Sequence, residues 1–182
     1  MDIFLVRHGE AAASWGQEPD PGLSELGHQQ AEATAMELQP LLAPDVQLLS
    51  SPLLRARETA DALAAKLLAN VTIDNVYSEI PSPAPLAERQ TWLRSFMTQQ
   101  WQEQPASLQA WRDAMVQALL VLQRPTVVFS HFLVMNTLVG HLQGRDETLC
   151  FWPDNAAVVR LRRTGQGLEI VDVGRQMSTV VN

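Results

Sequence analysis

Apolar and polar positions alternate along the chain in blocks that change period from two to about 3.6 and back. Residues 2–6, DIFLV, are a short apolar run that predicts a buried strand. Residues 11–22 carry Gly16, Pro19, Pro21 and Gly22, which predicts a long loop. Ser24 is placed to cap a helix that runs to about Leu38 and stops at Pro40, with Leu26, Ala31, Ala35 and Leu38 on its apolar side. VQLLSS (46–51) predicts a second strand. The next helix is expected to start at Pro52 with Ser51 as its cap, and to carry Leu54, Ala56, Thr59, Ala60, Leu63 and Leu67 inward.

VTIDNVY (71–77) predicts a third strand, and the three prolines of SEIPSPAP (78–85) an irregular segment. Two helical patterns follow, about 86–102 and 106–123. TVVFS (126–130) is continuously apolar, as a central parallel strand covered on both faces should be. FLVMNTLVGHLQ (132–143) reads as a helix ended by Gly144, and AAVVRLRR and LEIVDV flank TGQG in a β-hairpin pattern. Together these elements predict an α/β fold: a three-layer α/β/α sandwich with a mostly parallel central sheet and a C-terminal antiparallel hairpin. With 182 residues and neither repeat nor linker, one domain over 1–182 is expected, with a helical segment on the substrate side at about 80–125.

Composition narrows the function classes. Thirteen basic against twenty acidic residues give a net charge of −7, so no nucleic-acid partner is expected and an anionic ligand must be drawn by local charge. Lys66 is the only lysine, which fits an arginine-using proteome more simply than a specialised surface. A single cysteine, Cys150, fits a reducing compartment. No apolar run is long enough for a signal peptide or a membrane span, so a cytoplasmic protein without a membrane partner is expected. Oligomeric state is left open.

The predicted strands deliver chemistry at their carboxyl ends. Arg7-His8 follows the first, Arg55 lies one turn into the helix after the second, Glu79 follows the third, and Ser130-His131 follows TVVFS. In a parallel sheet these ends share one edge, where ligands bind. Two arginines can clamp a phosphoryl group. One imidazole can attack phosphorus while the other stabilises charge on the transferring group. A carboxylic acid can protonate a leaving oxygen and later activate water. No cofactor is needed for such chemistry, and no metal site is expected, since His28 and His141 lie mid-helix without partner ligands.

LVRHGE, LSELGHQQAEATAMEL, LLSSPLLRARETADALA and VVFSHF, in that order, resemble the histidine phosphatase superfamily, also called phosphoglycerate-mutase-like. The resemblance implies that His8 is the phosphorylated nucleophile, with Arg7, Arg55 and His131 around the phosphate. By motif position Glu79 is the general acid, with Glu88 as the alternative. Ser14 falls where the mutases place a phosphate-binding asparagine. Phe132 follows His131 where many relatives carry glycine, and EIPSP stands where a glycine-tryptophan-glutamate signature often trails the acid. The chain also lacks room for the long insert that closes mutase sites.

The resemblance therefore implies the phosphatase rather than the mutase branch: a cofactor-independent phosphatase acting on a small phosphorylated substrate or a phosphoprotein. The alternatives are a protein phosphohistidine phosphatase and a phospholigand-binding module without turnover. Glu10, Arg57 and Glu58 read as structural, with Glu58 solvated. Trp92, Phe96, Trp101 and Trp111 read as packing between two helices and the sheet, or as part of a leaving-group wall.

Overall fold

The computed structural model of the chain describes residues 1–13 and 17–177. Six strands, β1 (Asp2–Arg7), β2 (Gln47–Ser50), β3 (Val71–Ile73), β4 (Thr126–Ser130), β5 (Val158–Thr164) and β6 (Gly167–Asp172), form one sheet in the order β3-β2-β4-β1-β5-β6. β3, β2, β4 and β1 run parallel. β5 joins β1 antiparallel and pairs with β6 as the C-terminal hairpin. The fold class expected from the sequence is the one observed.

Period-two alternation explains the layers. Phe4 and Val6 of β1 point to one face with Val127 and Phe129, where they meet Ala35 and Leu38 of α1 (Glu25–Leu38) and Ala60 and Leu63 of α2 (Leu54–Leu67). Ile3, Leu5 and Val128 point to the other face. They pack against Met115 and Leu119 of α4 (Ala106–Leu120) and Val134 and Leu138 of α5 (Phe132–Leu142). β4 is buried at every position, which a strand covered by helices on both faces requires. Each such aliphatic side chain removed from water contributes roughly 1.5–3 kcal/mol. α3 (Arg89–Phe96) lies apart from these layers, in a cluster with Ile80, Trp101, Phe132 and Leu133. Among the described residues, no helix is long and apolar enough to cross a membrane.

Several local expectations are corrected. Ala31, Ala35 and Leu38 of α1 are buried as expected, but Leu26 is exposed, because the first inward position of that helix is Gly27. α2 begins at Leu54 rather than Pro52. Its first free N–H is taken by Asp20 of the 11–22 loop (Leu54 N to Oδ1, 2.9 Å), while Ser51 Oγ accepts from Leu53 N at 3.3 Å, just ahead of the helix. The third strand ends at Ile73, because the Asp74 carboxylate accepts from Val76 N and folds 75–77 into a 3₁₀ turn. The pattern over 86–102 is broken after Phe96, where Trp101 N is drawn to Asp146 O at 2.7 Å and Gln100 bridges to Glu147.

Candidate active site

The carboxyl ends of β1, β2 and β4 are laced together before any functional side chain leaves them. His8 N donates to Ser130 O (3.0 Å) and Ser51 N to Phe129 O (3.0 Å). Ser130 Oγ donates to Tyr77 O (3.0 Å), which ties in the segment that carries Glu79. These bonds bring Arg7, His8, Arg55, Glu79 and His131 into one buried group, each less than a tenth exposed. Ser14 lies outside the described residues. Glu88 is exposed on the turn before α3, whereas Glu79 is buried. Glu79 comes from the irregular segment beyond the 3₁₀ turn rather than from a strand exit.

His8 is held by both ring nitrogens. Its Nδ1 lies 2.6 Å from Gly9 O, an oxygen that can only accept. Nδ1 therefore carries the proton and Nε2 keeps its lone pair, which accepts from Arg55 Nε–H at 3.2 Å. Burial, then Arg55 and Arg7, push the imidazole well below its ordinary pKa, so it stays neutral. His131 packs edge-on to His8 with ring centroids 5.3 Å apart. Its Nε2 meets Ser51 Oγ at 2.7 Å, and the same hydroxyl accepts from Leu53 N at 3.3 Å just before α2. Burial, then His8 and the arginines, hold His131 below its ordinary value too.

Arg7 reaches Pro153 O through Nη1 at 2.8 Å, and its guanidinium lies over the Phe132 ring at 5.2 Å. Burial lowers its pKa to about 10, with Glu79 and Asp154 opposing. Among the described residues, Arg7 Nε and His131 Nδ1 are buried without a hydrogen-bond partner. Arg55 faces Asp20 at 3.9 Å. The Glu79 carboxylate accepts from its neighbour Ile80 N (2.9 Å) and from Leu133 N (3.3 Å) in the first turn of α5. Burial raises its pKa, although those two bonds, Arg55 and Arg89 pull it down.

A pocket of about 430 Å³ opens above Arg7 and His8, lined also by Glu10, Ala11–Ala13, Gln17, Gln90 and Asn155. Glu10 is occupied locally: its N–H donates to Gln30 and its carboxylate accepts from Ser24. Glu58 is not simply solvated, since it accepts from Leu23 N at 2.6 Å and pins the loop. The aromatic residues follow in series, Trp92 stacked on Phe96, Phe96 edge-on to Trp101 and Trp101 stacked on Trp111, and pack against the start of α5, with Trp111 also reaching the cluster under the sheet. Among the described residues, no group of three or more His, Cys, Asp or Glu side chains is arranged to hold a metal ion.

Sequence reasoning missed four contributors. Ser51 had been read as a helix cap. Arg89, whose charge is felt at Arg55, Glu79 and His131, lies in a stretch without a motif. Asn155 and Gln90 reach the pocket from segments with no local signature. The serine pair within SSPLLRARET was the one available signal.

In outline the fold is shared by known proteins. Phosphoserine phosphatase from Entamoeba histolytica, solved with 3-phosphoglyceric acid, superposes with a TM-score of 0.76 at 20% identity, over 97% of this chain and 98% of that one. Mycobacterial glucosyl-3-phosphoglycerate phosphatase, solved with VO3, gives a TM-score of 0.72 at 22% identity over 96% and 99%. At such identities the likeness is one of fold. Among curated proteins, an uncharacterised protein of Picosynechococcus sp. (strain ATCC 27264 / PCC 7002 / PR-6) is 40% identical over 67 residues, which are 36% of this chain and 41% of that protein. The chain thus matches less than half the length of that relative. The model of the histidine phosphatase superfamily (branch 1) matches residues 3–176, with all five clustered residues inside the match, and the chain belongs to that superfamily.

Proposed function

We propose that the protein is a cofactor-independent phosphatase that hydrolyses a phosphomonoester through a phosphohistidine on His8. The observation that carries this reading is the fixed tautomer of His8. Gly9 O accepts a hydrogen bond from Nδ1–H, so Nε2 presents a lone pair in a ring that burial keeps neutral. A nucleophile needs that lone pair, and without a ligand it is held by Arg55 Nε–H, a donor that a phosphoryl oxygen can draw away.

In the first step Nε2 attacks phosphorus and the bond from phosphorus to the ester oxygen breaks. Arg55 Nε–H, which occupies the lone pair without ligand, moves to a phosphoryl oxygen. Arg7 Nε and His131 Nδ1 supply further donors, and phosphate dianion raises the pKa of His131 toward the protonated form. The leaving alkoxide takes a proton from Glu79, whose burial favours the acid form. In the second step water attacks the phosphohistidine and gives its proton to Glu79. Phosphate departs, and Nε2 regains its lone pair. A buried acid in the same group of residues favours an ester substrate over a phosphohistidine one, because an imidazole leaving group needs less help from an acid.

The test is intact-mass measurement after rapid quenching, without acid, of the protein mixed with an aryl phosphate. One added phosphoryl group is expected on the wild type and none on His8→Ala, which should also lose turnover. Near-normal turnover by His8→Ala would remove the reading.

A further inference from the structure

We infer that Phe132, backed by Trp152, is a positioning residue for Arg7, holding its guanidinium while leaving its N–H groups free for a phosphoryl oxygen. This rests on the proposal that Arg7 binds the transferred phosphoryl group. A buried arginine is normally held by a carboxylate, which occupies two of its donors in a fork. Arg7 makes no ion pair among the described residues. Instead its Cζ sits 5.2 Å above the centre of the Phe132 ring, within the range of a cation–π contact. A ring face attracts the cation without accepting any N–H. The one donor spent on protein is Nη1, which binds Pro153 O at 2.8 Å, and Nε has no partner among the described residues.

The brace is continuous. Phe132 is buried at 3% exposure, and its ring meets Trp152 at a centroid distance of 5.5 Å. Trp152 directly precedes Pro153, whose carbonyl takes Nη1, so one segment supports both the ring and the guanidinium. Trp152 is itself 41% exposed, and its ring contact is with Phe132 rather than with Arg7. The position after His131 thereby acquires a function in this chain that a glycine there cannot serve.

The test is a double-mutant cycle read by competitive inhibition with vanadate and inorganic phosphate, with kcat and KM for an aryl phosphate recorded in parallel. Phe132→Leu removes the ring face and keeps an apolar side chain. It is expected to weaken vanadate inhibition about 3- to 30-fold, the range of a desolvated cation–π contact. Phe132→Tyr, which keeps the face, should stay within about twofold. In the Arg7→Ala background, Phe132→Leu should have no further effect, because the group it positions is gone. Additive losses would overturn the brace while leaving Arg7 a ligand. If Arg7→Ala leaves vanadate inhibition unchanged, the pocket reading falls and the brace with it. Thermal melts accompany every variant. Should Phe132→Leu not fold, Trp152→Ala completes the same cycle, and non-additivity with Arg7→Ala remains the expected result.

Discussion

Arg55 Nε–H donates to Nε2 of His8 across 3.2 Å, so the atom proposed to attack phosphorus is occupied by a group proposed to bind phosphate. His8 directly follows β1 and Arg55 lies in the first turn of α2, 47 residues apart in sequence. The contact holds the imidazole ring in place before substrate arrives, while the positive charge helps keep the ring unprotonated. Arg55 thus acts on His8 in the free protein and on the phosphoryl group in the complex.

Arg55→Ala should therefore do two things. Loss of a charge-assisted hydrogen bond to phosphate, about 1.5–3 kcal/mol, should lower kcat/KM by roughly ten- to a hundredfold. His8 should also lose a cation that depresses its pKa. The acid limb of kcat/KM, which reports His8 becoming neutral, should lie below the ordinary imidazole value in the wild type and move upward in the variant. A pH–rate series on both proteins checks this. An unmoved acid limb would mean that Arg55 does not act on His8 electrostatically.

Gly9→Ala tests the backbone that aims His8. A Cβ on Gly9 would lie 2.4 Å from Gly27 O, and one on Gly27 would lie 2.1 Å from Glu10 O. The chain just after His8 thus runs against the first turns of α1 with no side chain between, and backbone atoms cannot give way cheaply. Gly9→Ala is expected to cost about 1–3 kcal/mol of stability, or more, by overpacking, and to lower activity by tilting His8. Gly165→Ala, with open space around it, is the control and should leave both unchanged. Denaturant melts and kcat decide it, and wild-type stability in Gly9→Ala would contradict the close approach.

How much of this was legible in the chain depends on the range of the cause. The period-two runs around Phe4 and Val128 and the strand-end motifs are local in sequence, so the parallel sheet and the meeting of Arg7, His8, Arg55 and His131 could be read directly. The role of Ser51 could not. It depends on a contact across 80 residues of sequence, Ser51 Oγ to His131 Nε2, which the local pattern around Pro52 does not show. The break after Phe96 likewise has its cause in the partners Asp146 and Glu147, and no local breaker residue marks it. Leu26 was misplaced because several stripes fit the small residues of α1, and only the contact at Gly27 selects among them.

Asp2→Asn probes the seam where the parallel sheet meets the hairpin. Asp2 accepts from Arg162 Nε and Arg160 Nε, each at 3.0 Å, and those bonds, Arg162 first, hold its carboxyl below the ordinary value against the opposing effect of burial. A depressed carboxyl pKa contributes stability above the unfolded-state value of about 3.9 and loses it as pH falls through the folded value. The variant should be less stable than the wild type at pH 7 by about 0.2–1 kcal/mol, as partly exposed pairs are. That gap should close as the pH is taken below about 4. Thermal melts at both ends of the range measure it, and a gap that persists in acid would assign the loss to packing instead of charge.

Glu79 offers the sharpest separation between acid catalysis and simple placement. Burial raises its pKa while Ile80 N–H, Arg55, Leu133 N–H and Arg89 oppose, so the base limb of activity should lie above the ordinary carboxylate value. Together with a depressed His8 this gives a bell centred on the acidic side of neutrality. Arg89→Gln removes a cation that favours the carboxylate, so it should move the base limb upward. Leaving-group chemistry then isolates the proton itself. An aryl phosphate departs as a stable phenolate and needs little protonation, whereas an alkyl phosphate departs as a strongly basic alkoxide. Glu79→Gln keeps size and a hydrogen-bonding oxygen but cannot give up a proton at these pH values. It should lower alkyl phosphate hydrolysis by roughly 10²–10⁴-fold, the usual contribution of a general acid, and aryl phosphate hydrolysis far less. If both substrates lose equally, Glu79 serves to hold the start of α5 through Leu133, and the proton must reach the leaving oxygen from another group.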